Sequence, residues 1–271
     1  MKDIALVYMV AGISSRFGGK IKAFAEIGPN NESLIEYSLS QALPAGFNKI
    51  VLIVGENTKE PFKQKFGQNY HGIPIEYALQ TFDTQKRERP WGTTDAVCSA
   101  KEFLNGPFVV CNGDDIYGKN ALKTAHDFLI NNKSGVTIGY KLKNVVPEEG
   151  TVNRGIYETD NDGNVIGLNE IFDISKNNLE EKNLTKDTLC SMNLFGLPKE
   201  TISLLEEKLI KFKEENIKSR TAECLLPIEL ATLIKEKKII LKLVETQDQW
   251  FGVTNPSDEE IIRAKLSQAA K

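Results

Sequence analysis

Histidine is scarce in this chain: its 271 residues include only two, His71 and His126. That is too few for a histidine-based zinc centre, and it argues against a Ser-His-Asp triad. Cysteine is nearly as sparse. Cys98, Cys111, Cys190 and Cys224 lie far apart in apolar contexts and form no C-x-x-C pair, which predicts buried, reduced thiols and a cytoplasmic protein. Long hydrophobic runs are missing, and none approaches the roughly 20 residues of a membrane span. Met1-Lys2-Asp3 leads straight into a short apolar strand, without the pattern of a secretory signal. Charge of one sign is missing too: 34 Lys and Arg against 37 Asp and Glu give a net charge of −3, no electrostatic case for nucleic acid. Any chemistry therefore falls to carboxylates, lysine, arginine and a bound metal.

What is present begins at the amino terminus. Ile4 to Met9 is an apolar run of strand length, and it breaks into Val10-Ala11-Gly12-Ile13-Ser14-Ser15-Arg16-Phe17-Gly18-Gly19-Lys20-Ile21-Lys22. A loop of small residues after a buried strand exposes backbone N–H groups to phosphate oxygens. Arg16 and Lys22 add the positive charge a triphosphate needs. A turn with solvated Lys and Arg would read the same way. The spacing matches neither G-x-x-x-x-G-K-S/T nor G-x-G-x-x-G, which argues against a P-loop ATPase and an NAD enzyme.

Strand and helix patterns alternate through the first half. Ile50–Val54, Ile75–Leu79, Pro107–Cys111 and Gly135–Tyr140 read as strands; Ser33–Leu39, Thr94–Phe103 and Ala121–Leu129 read as helices, with Ser33 an N-cap. That rhythm predicts an α/β fold with a doubly wound, mostly parallel sheet. The second half departs from it. Gly155–Asp160 and Val165–Leu168 flank an Asp-Gly turn and predict a small antiparallel insertion. Asp173 to Asp187 reads as an exposed loop, Cys190–Leu197 and Ile239–Val244 as strands, Thr201–Lys218 as an amphipathic helix, and a closing helix follows Pro256. The apolar face of the Thr201–Lys218 helix is consistent with a homo-oligomer without establishing one.

Chemistry-bearing residues gather where strands end. Asn112-Gly113-Asp114-Asp115 follows a central strand, and a short, rigid Asp there suits Mg²⁺ bridging to a nucleotide phosphate. A polar turn closed by Asp side chains is the plainer alternative. Pro90-Trp91-Gly92-Thr93-Thr94-Asp95 opens a helix, where Gly92 permits close approach and Thr93 or Thr94 could simply be a cap. Gln80 ends a strand, where its amide could face a base edge or water.

Taken in order, these segments resemble the nucleoside triphosphate transferase family, the sugar-1-phosphate nucleotidylyltransferases, with their Rossmann-like fold. The family's A-G-x-G-S/T-R signature and catalytic lysine match Ala11-Gly12-Ile13-Ser14-Ser15-Arg16 and Lys22. Its base-reading Gln and G-T-A segments match Gln80 and Gly92-Thr93-Thr94, and its metal-binding G-D pair matches Gly113-Asp114. On the sugar side, Gly155 in Asn153-Arg154-Gly155, Glu170, and Ser191 to Gly196 follow the family order, as do Glu223–Pro227 and Trp250–Thr254. The likeness runs over roughly residues 3–260, and the S-R-F/Y-G-G, P-W-G-T and W-F-G-V-T motifs place it in a less characterised branch.

The resemblance implies one nucleotidyltransferase domain over 1–271, with a nucleotide-binding half (about 1–140), an acceptor-binding half (about 141–255) and a C-terminal helix (256–271). It implies NMP transfer from an NTP to a phosphorylated small molecule, a sugar-1-phosphate, with Mg²⁺ and pyrophosphate release. Arg16 and Lys22 take the catalytic roles, and Asp114 the metal. Ala11, Gly12, Ser14, Ser15, Gln80, Gly92, Thr93 and Asn112 frame the nucleotide; Arg154, Gly155, Glu170 and Asn193 frame the acceptor. Three positions depart from the pattern. Ser14 replaces a glycine, Ile171 stands where a lysine contacts the sugar phosphate, and Gly252 replaces the second Mg²⁺ carboxylate, which leaves Asp115, Asp248, or a single carboxylate with substrate oxygens as the alternatives. Lys20 leaves the catalytic lysine open between itself and Lys22. A cytidylyltransferase for a small phospho-alcohol such as phosphocholine, or a nucleotide-binding regulator without turnover, are the competing expectations.

Overall fold

The computed structural model describes residues 3–12, 21–253 and 258–269. Its elements run β1 (Ala5–Met9), α1 (Leu34–Ala42), β2 (Lys49–Val54), α2 (Glu56–Phe66), β3 (Asn69–Tyr70), β4 (Ile73–Leu79), α3 (Thr93–Ser99), β5 (Phe108–Asn112) and β6 (Asp115–Ile116). They continue with α4 (Lys119–Asn131), β7 (Gly135–Lys141), β8 (Val152–Thr159), β9 (Val165–Ile174), β10 (Leu189–Leu197), α5 (Thr201–Glu215), α6 (Leu226–Lys235), β11 (Leu241–Glu245), β12 (Phe251–Gly252) and α7 (Asp258–Ala269).

β1 lies at the centre, parallel to β2 on one side and β5 on the other, and β4 extends the parallel run beyond β2. β10 enters antiparallel between β5 and β7, and β11 closes the sheet parallel to β7. Alternate side chains along the central strands feed two separate cores. Leu6, Tyr8, Ile50, Leu52, Val109 and Cys111 pack with Ile35, Leu39, Phe62 and Leu122 from α1, α2 and α4. Val7, Val51, Ile53 and Val110 pack with Val97, Leu205 and Leu230 from α3, α5 and α6. A strand buried on both faces has to be apolar at every position, which is why Ile50–Val54 reads as an unbroken apolar run. The fold is the expected mostly parallel sheet flanked by helices.

The hairpin β8–β9 is antiparallel and joins the sheet through the Cys190–Ile156 pairing on β10. The lysine-rich segment after it differs from the expected exposed loop. Ile174, Leu179 and Leu184 are buried in the core and pin it down, so its lysines are the solvated side of an anchored connection. The late strand begins at Leu241 rather than Ile239, and Ile240 is left exposed. All four cysteines are free, and Cys111, Cys190 and Cys224 are buried. No described helix is long and apolar enough to cross a membrane.

The strands β1, β2, β4 and β5 end on one edge of the sheet, and backbone bonds carry the chain across it. Val10 N–H donates to Ile53 O at 2.9 Å, Gln80 N–H to Val54 O at 2.9 Å, and Gly113 N–H to Met9 O at 3.0 Å. The crevice beyond the carboxyl ends of such strands is where open α/β sheets bind ligands.

Candidate active site

At the mouth of β1, Ala11 is half-buried and Gly12 is exposed, with no atom of the described residues within 4 Å of where a β-carbon on Gly12 would lie. Ser14, Ser15, Arg16 and Lys20 lie outside the described residues. Lys22 opens a short 3-10 turn, Lys22–Phe24. Its Nζ donates to Asp114 Oδ2 at 2.6 Å, and the two side chains keep 20% and 39% of their surface. The lysine and the carboxylate expected from separate motifs thus meet in one charge-assisted contact.

Next to Asp114, Asp115 turns inward and is 6% exposed. Its Oδ2 accepts from Asn112 Nδ2 at 2.9 Å and from the Tyr117 hydroxyl at 3.2 Å. Burial, reinforced by the neighbouring Asp114 charge, pushes its carboxyl up to about 7, against the hydrogen bond from Asn112 and the charge of Lys22. Asp115 also lies directly opposite Gly252 in the β6–β12 ladder. A β-carbon at 252 would stand 2.9 Å from Asp115 Oδ1 and 2.3 Å from the Trp250 ring, so a side chain there would have to displace the indole or the carboxylate. Phe251 and Val253 pack with Ile116, Ile262 and Leu266, which holds this strand in place.

Among the described residues, no three His, Cys, Asp or Glu side chains are grouped to hold a metal. Among the described residues, Asp114 and Asp115 are the carboxylates at the end of β5. That fits Mg²⁺, which binds through one or two carboxylates and completes its shell with phosphate oxygens and water. Asp248 is committed elsewhere. It caps α4, accepting from Asn120 N–H at 2.8 Å and Ala121 N–H at 2.9 Å, and so does not replace the carboxylate missing at Gly252.

Gln80 is 6% exposed, and its amide nitrogen is spoken for. Nε2 donates to Gly92 O at 3.1 Å and to Asp95 Oδ2 at 2.8 Å, while Asp95 Oδ1 accepts from Lys213 Nζ at 2.6 Å. Two acceptors fix which way the amide points. Gly92 has φ of +96° and stands against the Cys224 backbone, where a β-carbon would come within 2.6 Å of the carbonyl oxygen. Thr93 Oγ1 accepts from Leu226 N–H at 2.8 Å and so caps α6. Cys224 N–H donates to Trp91 O at 2.7 Å, which binds the Glu223–Pro227 segment to the Trp91–Thr93 turn.

On the other side of β5, the hairpin sets Gly155 directly opposite Glu170, and Arg154 opposite Ile171. Burial raises the Glu170 carboxyl, and the Arg154 charge works against the shift. Arg154 Nη1 donates to Asn153 O at 2.9 Å and Nη2 to Val145 O at 3.2 Å. Asn193 sits where the register of β10 shifts between Ser191 and Phe195, with φ of +59°. Such a bulge re-aims a side chain, and asparagine tolerates the left-handed backbone it needs.

The sequence matches the family model "Nucleotidyl transferase" over residues 22–214. The chain belongs to the nucleotidyl transferase family. It is 30% identical over 210 residues to the bifunctional protein GlmU of Methanococcus maripaludis, covering 78% of this chain and 41% of that protein. The chain spans less than half the length of the curated relatives it matches. Its fold is similar to inositol-1-phosphate CTP transferase from T. maritima, with a TM-score of 0.68 at 15% identity over 98% of this chain and 97% of that one. It is also similar in fold to UDP-glucose pyrophosphorylase from Acinetobacter baumanii, with a TM-score of 0.66 at 17% identity over 98% and 93%.

Several residues of this candidate site escape sequence reasoning. Tyr117 donates to Met192 O at 2.9 Å and braces Asp115, a link that only the fold creates. Asp95 reads in sequence as part of a helix start, yet it is buried between Gln80 and Lys213. Arg87 sits in a charged run that looks solvated, but it is 4% exposed and lies 3.4 Å over the Trp91 ring.

Proposed function

We propose that the chain transfers a nucleoside monophosphate from an NTP to a sugar-1-phosphate, making a nucleotide sugar and releasing pyrophosphate. The Lys22–Asp114 contact at the carboxyl edge of the sheet carries this reading: a cation and a metal-type carboxylate stand together where an α-phosphate would lie. The acceptor's phosphate oxygen attacks the α-phosphorus, a new P–O bond forms, and the bond to the bridging oxygen breaks as pyrophosphate leaves. Such a transfer asks the protein for positioning and charge neutralisation. Lys22 lies against the α-phosphate, where negative charge grows during the transfer. Arg16 takes the β- and γ-phosphates. Ala11, Gly12, Ser14, Ser15 and Asn112 line the triphosphate, and Gln80, Gly92 and Thr93 the base and ribose. Arg154, Gly155, Glu170 and Asn193 line the acceptor. Asp114, with Asp115 beside it, would hold Mg²⁺, which when bound neutralises phosphate charge and aligns attacker with leaving group.

A second reading is cytidylyl transfer to a small phospho-alcohol, and the fold likeness to inositol-1-phosphate CTP transferase favours it. Pyrophosphate release with Mg²⁺, crossing four NTPs against sugar-1-phosphates, inositol 1-phosphate and phosphocholine, decides between them. A signal that needs both partners and disappears in Asp114→Ala supports the first reading if the acceptor is a sugar phosphate and the second if it is a phospho-alcohol. Silence across the panel with nucleotide binding intact would overturn both and leave a nucleotide-binding regulator.

A further inference from the structure

Two arginines in this structure lie over tryptophans, and they differ in one respect. Arg87 is held at every nitrogen: Nε donates to Arg89 O, Nη1 to Ser219 O, and Nη2 to Pro90 O and Ala222 O, with its guanidinium 3.4 Å from the Trp91 ring centre. Arg154, 5.3 Å from the Trp250 ring centre, makes two carbonyl bonds among the described residues. Its Nε is enclosed without an acceptor, and so is Nε1 of the same tryptophan. Neither Arg87 nor Trp91 has such an orphan among the described residues.

The charge of Arg154 is unmatched as well. Burial lowers its pKa, and Cys190, Asp115 and Glu170 bear on it from a distance, but among the described residues no carboxylate pairs with it. Its cross-strand neighbour is the apolar Ile171. Enclosed N–H donors are normally satisfied, so the two left open on this stacked pair point to a missing acceptor, and the half-buried guanidinium charge makes an oxyanion the fitting one. An arginine fork matches tetrahedral phosphate oxygens, and an indole N–H is a donor only, so both groups select for an anion.

We propose that Arg154 and Trp250 form a phosphate cradle, and that its occupant is the phosphate of the acceptor. The second half rests on the function proposed above. Position favours the acceptor over the NTP: Arg154 lies on the hairpin carried by β10, while Gly12, Gln80 and Gly92 lie across β5 toward β4. Trp250 also flanks Gly252, which faces Asp115, so the cradle adjoins the carboxylates. The positive charge absent at Ile171 is supplied from the opposite strand.

The test watches the indole N–H groups of the full chain by ¹H–¹⁵N NMR. There are two tryptophans, and Trp250→Phe assigns the signals. Titration with inorganic phosphate to about 50 mM, enough to fill a millimolar site, is expected to move the Trp250 signal to saturation and leave that of Trp91 in place. Sodium chloride at matched ionic strength should move neither. Arg154→Gln should abolish the shift, and Arg154→Lys, which keeps charge but loses the fork, should weaken it about tenfold. With an acceptor that turns over, Arg154→Lys should raise the acceptor KM about tenfold and leave the NTP KM unchanged. A Trp250 signal indifferent to phosphate, or one that moves equally in both Arg154 variants, overturns the cradle. A rise confined to the NTP KM overturns its assignment to the acceptor. A phosphate shift in a protein that turns over no acceptor would support the cradle while the proposed function falls.

Discussion

Asp115 faces Gly252 across a two-residue ladder, and the space a side chain at 252 would need is already taken by Asp115 Oδ1 and the Trp250 ring. The glycine that breaks the expected carboxylate pattern therefore leaves room for the positions that Trp250 and Asp115 take.

Gly252→Ala should destabilise the fold by about 1–3 kcal/mol, the usual cost of forcing a methyl group into a filled space. For a chain of this size that corresponds to a fall in Tm of about 2–10 °C. Gly252→Asp should do worse, because it also brings a second charge to a buried carboxylate. A thermal melt at neutral pH checks both, and an unchanged Tm for Gly252→Ala would mean that the ladder opens freely.

Asp115 also sets a pH dependence. Its folded pKa of about 7 lies above the ordinary value of 3.8, so between these limits the folded state holds a proton that the unfolded chain releases. The group's contribution is fully present below about pH 4 and is lost as pH rises through 7. Asp115→Asn stays neutral and keeps an acceptor for Asn112, so its Tm should fall less than that of the parent between pH 5 and 8. Parallel Tm curves across that range would show that Asp115 does not titrate there.

Lys22 should behave in the opposite way. Its contact with Asp114 is partly exposed, and such pairs contribute little stability, so Lys22→Ala should leave Tm nearly unchanged. If Lys22 faces the growing charge on the α-phosphate, turnover should fall by about two to three orders of magnitude, as when one transition-state donor is removed. Steady-state pyrophosphate release measures this, and near-parental kcat would shift the role to Lys20.

How much of this was legible in the sequence follows from whether a signal was local. Ile50–Val54 and Phe108–Cys111 announce buried strands, and Asp114 announces itself by standing where a central strand ends. α2 hides because its buried apolar residues are only Phe62 and Phe66, and Pro61 stands inside it. The anchors Ile174, Leu179 and Leu184 are lost among lysines and asparagines. Asp248 looks as available as Asp115 in the sequence, and only the fold shows one capping α4 and the other buried against Gly252. Pairings such as Arg154 with Trp250 join distant segments and leave no trace in spacing.

The Gln80–Asp95–Lys213 chain gives the last prediction. Gln80 Nε2 lies 2.8 Å from Asp95 Oδ2, so Gln80→Glu would set two carboxylates together in a buried place with one lysine to serve both. At pH 8 both carboxylates are pressed to ionise, and like charges at that distance repel strongly. At pH 5 one of them can keep a proton and restore a hydrogen bond. The variant should therefore lose more Tm against the parent at pH 8 than at pH 5. Gln80→Met, similar in length and uncharged, should show a loss nearly independent of pH, since it removes the amide donor and leaves Asp95 paired with Lys213. Equal losses for Gln80→Glu at both pH values would mean that water reaches the Asp95 carboxylate and screens it.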